Sequence, residues 1–289
     1  MPKEIIVVDS QRLSTIQNCP YKYDLTFNHN FVPVNKQDFF ERGDLIHKML
    51  EQYYKLRKFQ DNWRGKFSQG EIQKICEKVG EHFAVAMQLP VEEVDDVFCV
   101  FKEYVEYYWG EPHGTIAVEQ VGSKIMFQNE ELTILYETKI DWICSLSNVA
   151  ILPVDHKSSR RRGMVNELSN QFMGYCWMLN VCNLMVNKIG FQTSVKPKDK
   201  FERAILSYPR PVIEEWLDNS VKWILELRRC YQRGDWKKNF TSCDKYNSGT
   251  ESTMCVFRPV CLAPPEIRMA KANQLFNIRD ENWDVGAKL

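Results

Sequence analysis

The sequence has no net charge: 38 Lys and Arg are balanced by 38 Asp and Glu. That excludes a protein that coats nucleic acid through bulk positive charge. A local basic groove stays open, because counterion release depends only on the cations that touch phosphate. There is no run of about 18 apolar residues, so no membrane-spanning helix is expected. There is also no internal repeat, no low-complexity stretch and no Cys-x-x-Cys pair, which leaves a zinc knuckle without its spacing. The apolar lead Ile5, Ile6, Val7, Val8 is too short for a secretory signal. The expected location is therefore cytoplasmic, with the ten cysteines held as buried thiols or metal ligands rather than disulfides.

What is present is ordinary globular material. The chain has 289 residues, 44% hydrophobic and 26% charged, enough for a sizeable core. The first 110 residues read as helical. Asp9 or Ser10 suits a helix cap, and Pro20 suits the first turn of a second helix. Leu45, Met49, Leu50, Tyr53 and Tyr54 recur at helical spacing from about Phe39 to Leu56, and further helices are expected near 71–87 and 91–109. The pattern then turns to strands at 115–121, 124–128, 132–146 and 149–155, with Gln128 to Glu131 as a hairpin turn. A helix over 165–180, strands near 185–193 and 203–208, and a long helix from Pro211 to about Gly234 follow. The remainder, 235–289, reads as a loop-like tail. The order predicts an α/β fold, a mixed sheet flanked by helices, as a single domain over 1–289 with its core in 111–234.

The chemistry concentrates in Tyr136-Glu-Thr-Lys-Ile-Asp141 and, fourteen residues on, Asp155-His156-Lys157. Asp155 and Lys157 are two apart on an expected strand, so both face the same way. The apolar lead-in Val149 to Val154 suggests a buried strand delivering them to a sheet edge. Two carboxylates brought together repel unless a hard divalent cation, Mg²⁺ or Mn²⁺, neutralises them. Lys157 beside such a metal could orient a water and stabilise charge on a phosphoryl group. Gln171 and Tyr175 are four apart, on one face of the following helix. Lys157, Arg160, Arg161 and Arg162 place four cations in six residues, suited to gripping a phosphate backbone. Lys196, Lys198 and Lys200 form a second basic loop. Tyr104, Tyr107, Tyr108 and Trp109 read as helix packing first, with stacking of single-strand bases as the second reading.

Cys76, Cys99, Cys144, Cys176 and Cys182 fall in apolar contexts and read as buried small hydrophobes, and Cys230 ends a helix. Cys243, Cys255 and Cys261 differ, because their segment is polar. Thiolates there would suit an iron–sulfur cluster or zinc.

The ordered set of Asn18-Cys19-Pro20-Tyr21-Lys22, Gly43-x3-His47, Ile140-Asp141, Val154-Asp155-His156-Lys157, Gln171-x3-Tyr175 and the late cysteines resembles the PD-(D/E)XK nuclease superfamily. Within it the set is similar to the RecB/AddB-like iron–sulfur branch, which includes CRISPR-associated spacer-acquisition exonucleases. The resemblance covers Ser14 to Cys261. It implies a restriction-endonuclease-like fold and a metal-dependent DNA nuclease, an exonuclease on single strands or ends. The alternative is a non-cleaving DNA-end-binding or adaptor subunit of a recombination or spacer-acquisition complex. It implies that His47, Asp141, Asp155 and the backbone carbonyl of His156 bind the metal. Lys157 would be the catalytic lysine, with Gln171 and Tyr175 positioning it or the phosphate. Glu119 would have at most an outer role. It further implies that Cys19, Cys243, Cys255 and Cys261 hold a 4Fe–4S cluster joining the N- and C-terminal segments, with Cys243 set apart from Cys255 by eleven residues. One departure stands out: the family commonly has Gly two or three residues before the first Asp, where this chain has Glu137, Thr138 and Lys139.

Overall fold

The computed structural model describes residues 3–34, 38–62, 67–146, 150–159, 166–192, 195–243 and 254–279. In chain order the elements are β1 (Glu4–Val8), α1 (Ser10–Asn18), α2 (Pro20–Tyr23), β2 (Phe31–Pro33), α3 (Asp38–Asn62), α4 (Gln69–Met87), α5 (Val91–Tyr108), β3 (Gly114–Gln128), β4 (Leu132–Leu146) and β5 (Ala150–Ser159). There follow α6 (Asn170–Leu179), β6 (Asn183–Gly190), α7 (Pro197–Lys200), β7 (Phe201–Ser207), α8 (Arg210–Arg233), α9 (Arg258–Leu262), α10 (Arg268–Leu275) and β8 (Phe276–Ile278). This is the expected mixed α/β fold. The chain gathers into two compact units, one of Met1–Lys36, Lys124–Glu137 and Glu214–Leu289, the other of Gln37–Ser123 and Thr138–Ile213.

The second unit holds the larger core. The α3 stripe Leu45, Met49, Leu50, Tyr53 and Tyr54 is buried, as its helical spacing requires, and packs with Ile72, Val97, Phe101 and Tyr104 from α4 and α5. Ser68 and Glu71 close a capping box that starts α4. Behind the helices, β4 pairs antiparallel with β5, β5 parallel with β6, and β6 antiparallel with β7. β5 is thus an interior strand. It runs on to Ser159, so Asp155 and Lys157 lie within it and not at a sheet edge as the sequence suggested. The polar Ser158 and Ser159 hid that extension, since they are satisfied by pairing with Ile189 and Gly190 of β6.

In the first unit β1 pairs parallel with the first part of β4, from Glu4↔Leu132 to Val8↔Tyr136. Asp9 caps α1, its Oδ1 accepting the Arg12 N–H at 2.7 Å, and Pro20 opens α2 as expected. The tail is more than a loop. Phe257, Val260, Ala272 and Phe276 pack with Leu25 and Phe31 into a small core of their own. Sequence reading misses this because Leu25 and Phe31 come from more than two hundred positions earlier.

Three further differences have local causes. The two strands expected over 115–128 are one, β3, which absorbs an irregularity at Glu119 (φ +51°) instead of breaking at Gly122. The described part of the helix expected from residue 165 begins at Asn170, because the Ser169 hydroxyl takes the Gln171 N–H at 3.2 Å. The second basic loop contains α7, and Lys200 is buried against Glu103 and not presented to solvent. Of the five cysteines read as buried, Cys76, Cys144 and Cys176 are so; Cys99 is exposed and Cys182 half-buried. Arg160, Arg161 and Arg162 lie outside the described residues. No helix among the described residues is long and apolar enough to cross a membrane.

Candidate active site

The β4–β5 ladder runs from Leu146↔Ala150 to Trp142↔Val154 and stops one residue short of two aspartates. Continuing that register places Asp141 opposite Asp155. In place of a backbone carbonyl, the Asp141 Oδ2 accepts the His156 N–H at 2.8 Å. Past the end of their ladder the two strands are thus tied by a side chain, which holds two carboxylates at one point of the second unit. Strand alternation turns Trp142 and His156 to the opposite face, where their rings stack. His47, from α3, brings its Nδ1 to 3.9 Å from Asp141 Oδ2.

Asp155 is 1% exposed. Its Oδ2 lies 2.8 Å from Lys157 Nζ, yet that contact lacks hydrogen-bond geometry and the oxygen has no hydrogen-bond partner among the described residues. Burial first, then the neighbouring Asp141 charge, pushes the Asp155 carboxyl up to about 6, against the pull of Lys157. Burial pushes Asp141 up to about 6 as well, against the bond from His156. Burial also holds His47 below its usual range, with Asp155 opposing. A neutral imidazole keeps a lone pair for a cation.

Lys157 is held from the helix side. Its Nζ donates to Gln171 Oε1 at 2.9 Å, Gln171 Nε2 donates to the Tyr175 hydroxyl at 2.9 Å, and that hydroxyl donates to the Lys139 carbonyl at 2.9 Å. The Tyr175 hydroxyl also stands 3.5 Å from Asp155 Oδ1. The i, i+4 pair therefore does share one face, and that face closes on the aspartate–lysine strand. Phe172 lies beneath the ammonium, 5.7 Å from Nζ to ring centroid. Lys157 remains 44% exposed on its side chain, so the cation reaches solvent. Glu119 pairs with Lys139 next to this cluster, which sequence reading left in an outer place. Residues it did not place at the site are Tyr54 and Tyr104, read as helix packing, and Trp142, Asn187 and Arg203, packed behind His156. Their one sequence signal is a polar Asn187 inside an otherwise apolar strand.

The two carboxylates are hard donors and the imidazole a borderline one, and Asp155 Oδ2, buried and beside the Lys157 ammonium without a hydrogen bond to it, is an oxygen that a divalent cation could share. Among the described residues no three His, Cys, Asp or Glu side chains are already gathered to hold a metal. In the first unit, Cys19, Cys243, Cys255 and Cys261 line one pocket of about 20 Å³. The Cys255 N–H donates to the Cys243 carbonyl at 2.8 Å, bringing those two together. Burial, followed by the charge of Cys243, Cys255 and Cys19, pushes the Cys261 thiol up to about 11. As it stands the pocket has room for about one water.

The sequence profile described as the PD-(D/E)XK nuclease superfamily matches residues 10–261. No curated protein matches the chain. Among solved structures, one similar to it is that of SSO0001, at 11% identity and a TM-score of 0.37, over 77% of this chain and 78% of that one. Another is a protein proposed to be an exonuclease, from Eubacterium rectale, at 9% identity and a TM-score of 0.47, over 80% and 83%. Likenesses this loose bear no weight on what the site does.

Proposed function

Because the chain belongs to the PD-(D/E)XK nuclease superfamily, we propose that it is a divalent-metal-dependent deoxyribonuclease, an exonuclease acting on single strands or DNA ends. The observation that carries this reading is the meeting of Asp141, Asp155 and Lys157 with Gln171 and Tyr175 in one cluster of hydrogen bonds and an ion pair. Asp141, Asp155, His47 and the His156 carbonyl would hold Mg²⁺ or Mn²⁺. When bound, that ion supplies an activated water and screens phosphoryl charge. Lys157, oriented by Gln171, stabilises negative charge that develops on the phosphoryl oxygens as water adds and the sugar oxygen departs. Tyr175 fixes Gln171 and so the direction of the ammonium. Arg160, Arg161 and Arg162 would bind the phosphate backbone.

The same reading gives Cys19, Cys243, Cys255 and Cys261 a 4Fe–4S cluster. What supports it is four thiols on one pocket, from segments far apart in sequence; they would have to spread to take it up. Location in the cytoplasm, and a protein partner in recombination or spacer acquisition, belong to this proposal.

The test is incubation of anaerobically purified protein with end-labelled DNA and Mn²⁺ or Mg²⁺, with a chelator control. Loss of nucleotides from an end supports the exonuclease. Cutting of a covalently closed circle gives an endonuclease instead. Tight binding of ends without any cutting gives the adaptor.

A further inference from the structure

Every element that carries a proposed metal donor also contributes a ring to one buried stack. Tyr54 lies two turns after His47 on α3, Trp142 follows Asp141 on β4, and His156 follows Asp155 on β5. The Tyr54 and Trp142 rings are 3.9 Å apart and 18° from parallel, and the Tyr54 and His156 rings 5.5 Å apart and 11° from parallel. The stack is packed within the second unit, and a polar chain ends on it. Asn187, the register partner of His156 on β6, is 0% exposed. Its Nδ2 donates to His156 Nδ1 at 2.8 Å and to the Tyr104 hydroxyl at 2.8 Å. The Tyr104 and Tyr54 hydroxyls are 2.6 Å apart, and Arg203 Nη2 donates to both, at 3.0 Å to Tyr54 and 3.1 Å to Tyr104. Arg203 in turn is paired with Glu111, which also holds His113 at 3.3 Å.

A buried amide is costly in a strand unless its bonds are made, and here the two Nδ2 bonds are made while Oδ1 has no partner among the described residues. Here Val, Ile or Leu would fill the position as well by shape, so packing alone does not call for Asn. What Asn187 does is hold the imidazole of His156 from the side, and His156 is the residue whose N–H anchors Asp141. We infer that Asn187, backed by Tyr104, Tyr54 and Arg203, is a positioning residue: it fixes the His156 peptide, and through it the Asp141 carboxylate and the His156 carbonyl, for a divalent cation. This rests on the nuclease reading and adds to it residues on the far face of the sheet that touch neither metal nor DNA.

The experiment measures Mn²⁺ binding by calorimetry in the absence of DNA, for wild type, Asn187→Leu and Tyr104→Phe. Leu keeps the branched shape at a larger volume and drops both bonds; Phe keeps the ring and drops the hydroxyl that links Asn187 to Arg203. Partners just outside a metal site typically cost 10- to 100-fold in affinity or activity when removed. Asn187→Leu should therefore weaken Mn²⁺ by about tenfold or more, and Tyr104→Phe should weaken it in the same direction. DNA binding without metal should be unchanged, and cleavage should return at high Mn²⁺. Folded variants that bind Mn²⁺ like wild type overturn the inference. So does failure of both to fold, since the network would then serve only stability. If wild type cuts DNA while the variants bind metal normally, only this inference falls. If wild type neither binds Mn²⁺ nor cuts, the nuclease reading falls and this one with it.

Discussion

Removing the charge of Asp155 should make the metal-free protein more stable, and the gain should depend on pH in a fixed direction. Asp155 is 1% exposed, and its carboxyl is raised from 3.8 to about 6. A group whose folded pKa is raised binds its proton more tightly in the folded state, so stability falls as pH rises from the unfolded value through the folded one. The shift of about two units makes the full cost about 3 kcal/mol, reached above pH 6. At pH 4.5 the same two values leave a cost of about 1 kcal/mol. Asp155→Asn should thus melt about 5 °C above wild type at pH 8, taking about 1.6 °C per kcal/mol for a chain of this size, and only about 2 °C above it at pH 4.5. His47 is shifted in the opposite direction with the Asp155 charge opposing, so Asp155→Asn also lowers His47, which narrows the gap further in acid and leaves the pH 8 comparison untouched. The assay is thermal melting in chelator at the two pH values, then again with Mn²⁺. Manganese should raise the wild-type midpoint at pH 8 far more than at pH 4.5, and should do little for Asp155→Asn. A variant no more stable than wild type at pH 8, or a gap that does not narrow in acid, would refute the buried-carboxylate argument.

Other outcomes follow from single contacts. Gln171→Ala frees the Lys157 ammonium and should slow cleavage with little change in melting temperature, since the bond lies at the solvent-facing end of the helix. Unchanged cleavage would return Gln171 to an ordinary surface role. Asp9→Ala removes the cap of α1 and should cost about 1 kcal/mol, read from denaturant melts, without altering metal binding. Cys261→Ala should abolish iron and acid-labile sulfide in anaerobic protein; colourless wild-type protein with stoichiometric zinc would replace the iron–sulfur assignment with a zinc one.

Most helices were legible because burial repeats along them at a fixed spacing. The α3 stripe from Leu45 to Tyr54 needs no partner to be recognised. The aspartate–lysine strand was legible for another reason: charged groups two apart after an apolar run have few uses in a sheet interior. Its true length was not, because Ser158 and Ser159 look like loop residues until β6 supplies their hydrogen bonds. The small tail core stayed hidden since Leu25 and Phe31 meet Phe257 and Phe276 only through the fold. The same holds for Asn187, whose bonds to His156 and Tyr104 span 31 and 83 residues. Local pattern reports what a segment buries, and it is silent on which distant side chain makes that burial affordable.

The central claim is that Lys157 works on the reacting phosphate and not on affinity. The direct measurement is single-turnover cleavage of end-labelled DNA in Mn²⁺ by wild type and Lys157→Ala, with DNA binding measured on the same samples. Losing one oriented charge-stabilising group typically costs on the order of a hundredfold or more in rate. The account predicts that loss with binding nearly intact. Wild-type protein that binds ends without cutting, or a Lys157→Ala variant that cuts at the wild-type rate, would contradict it.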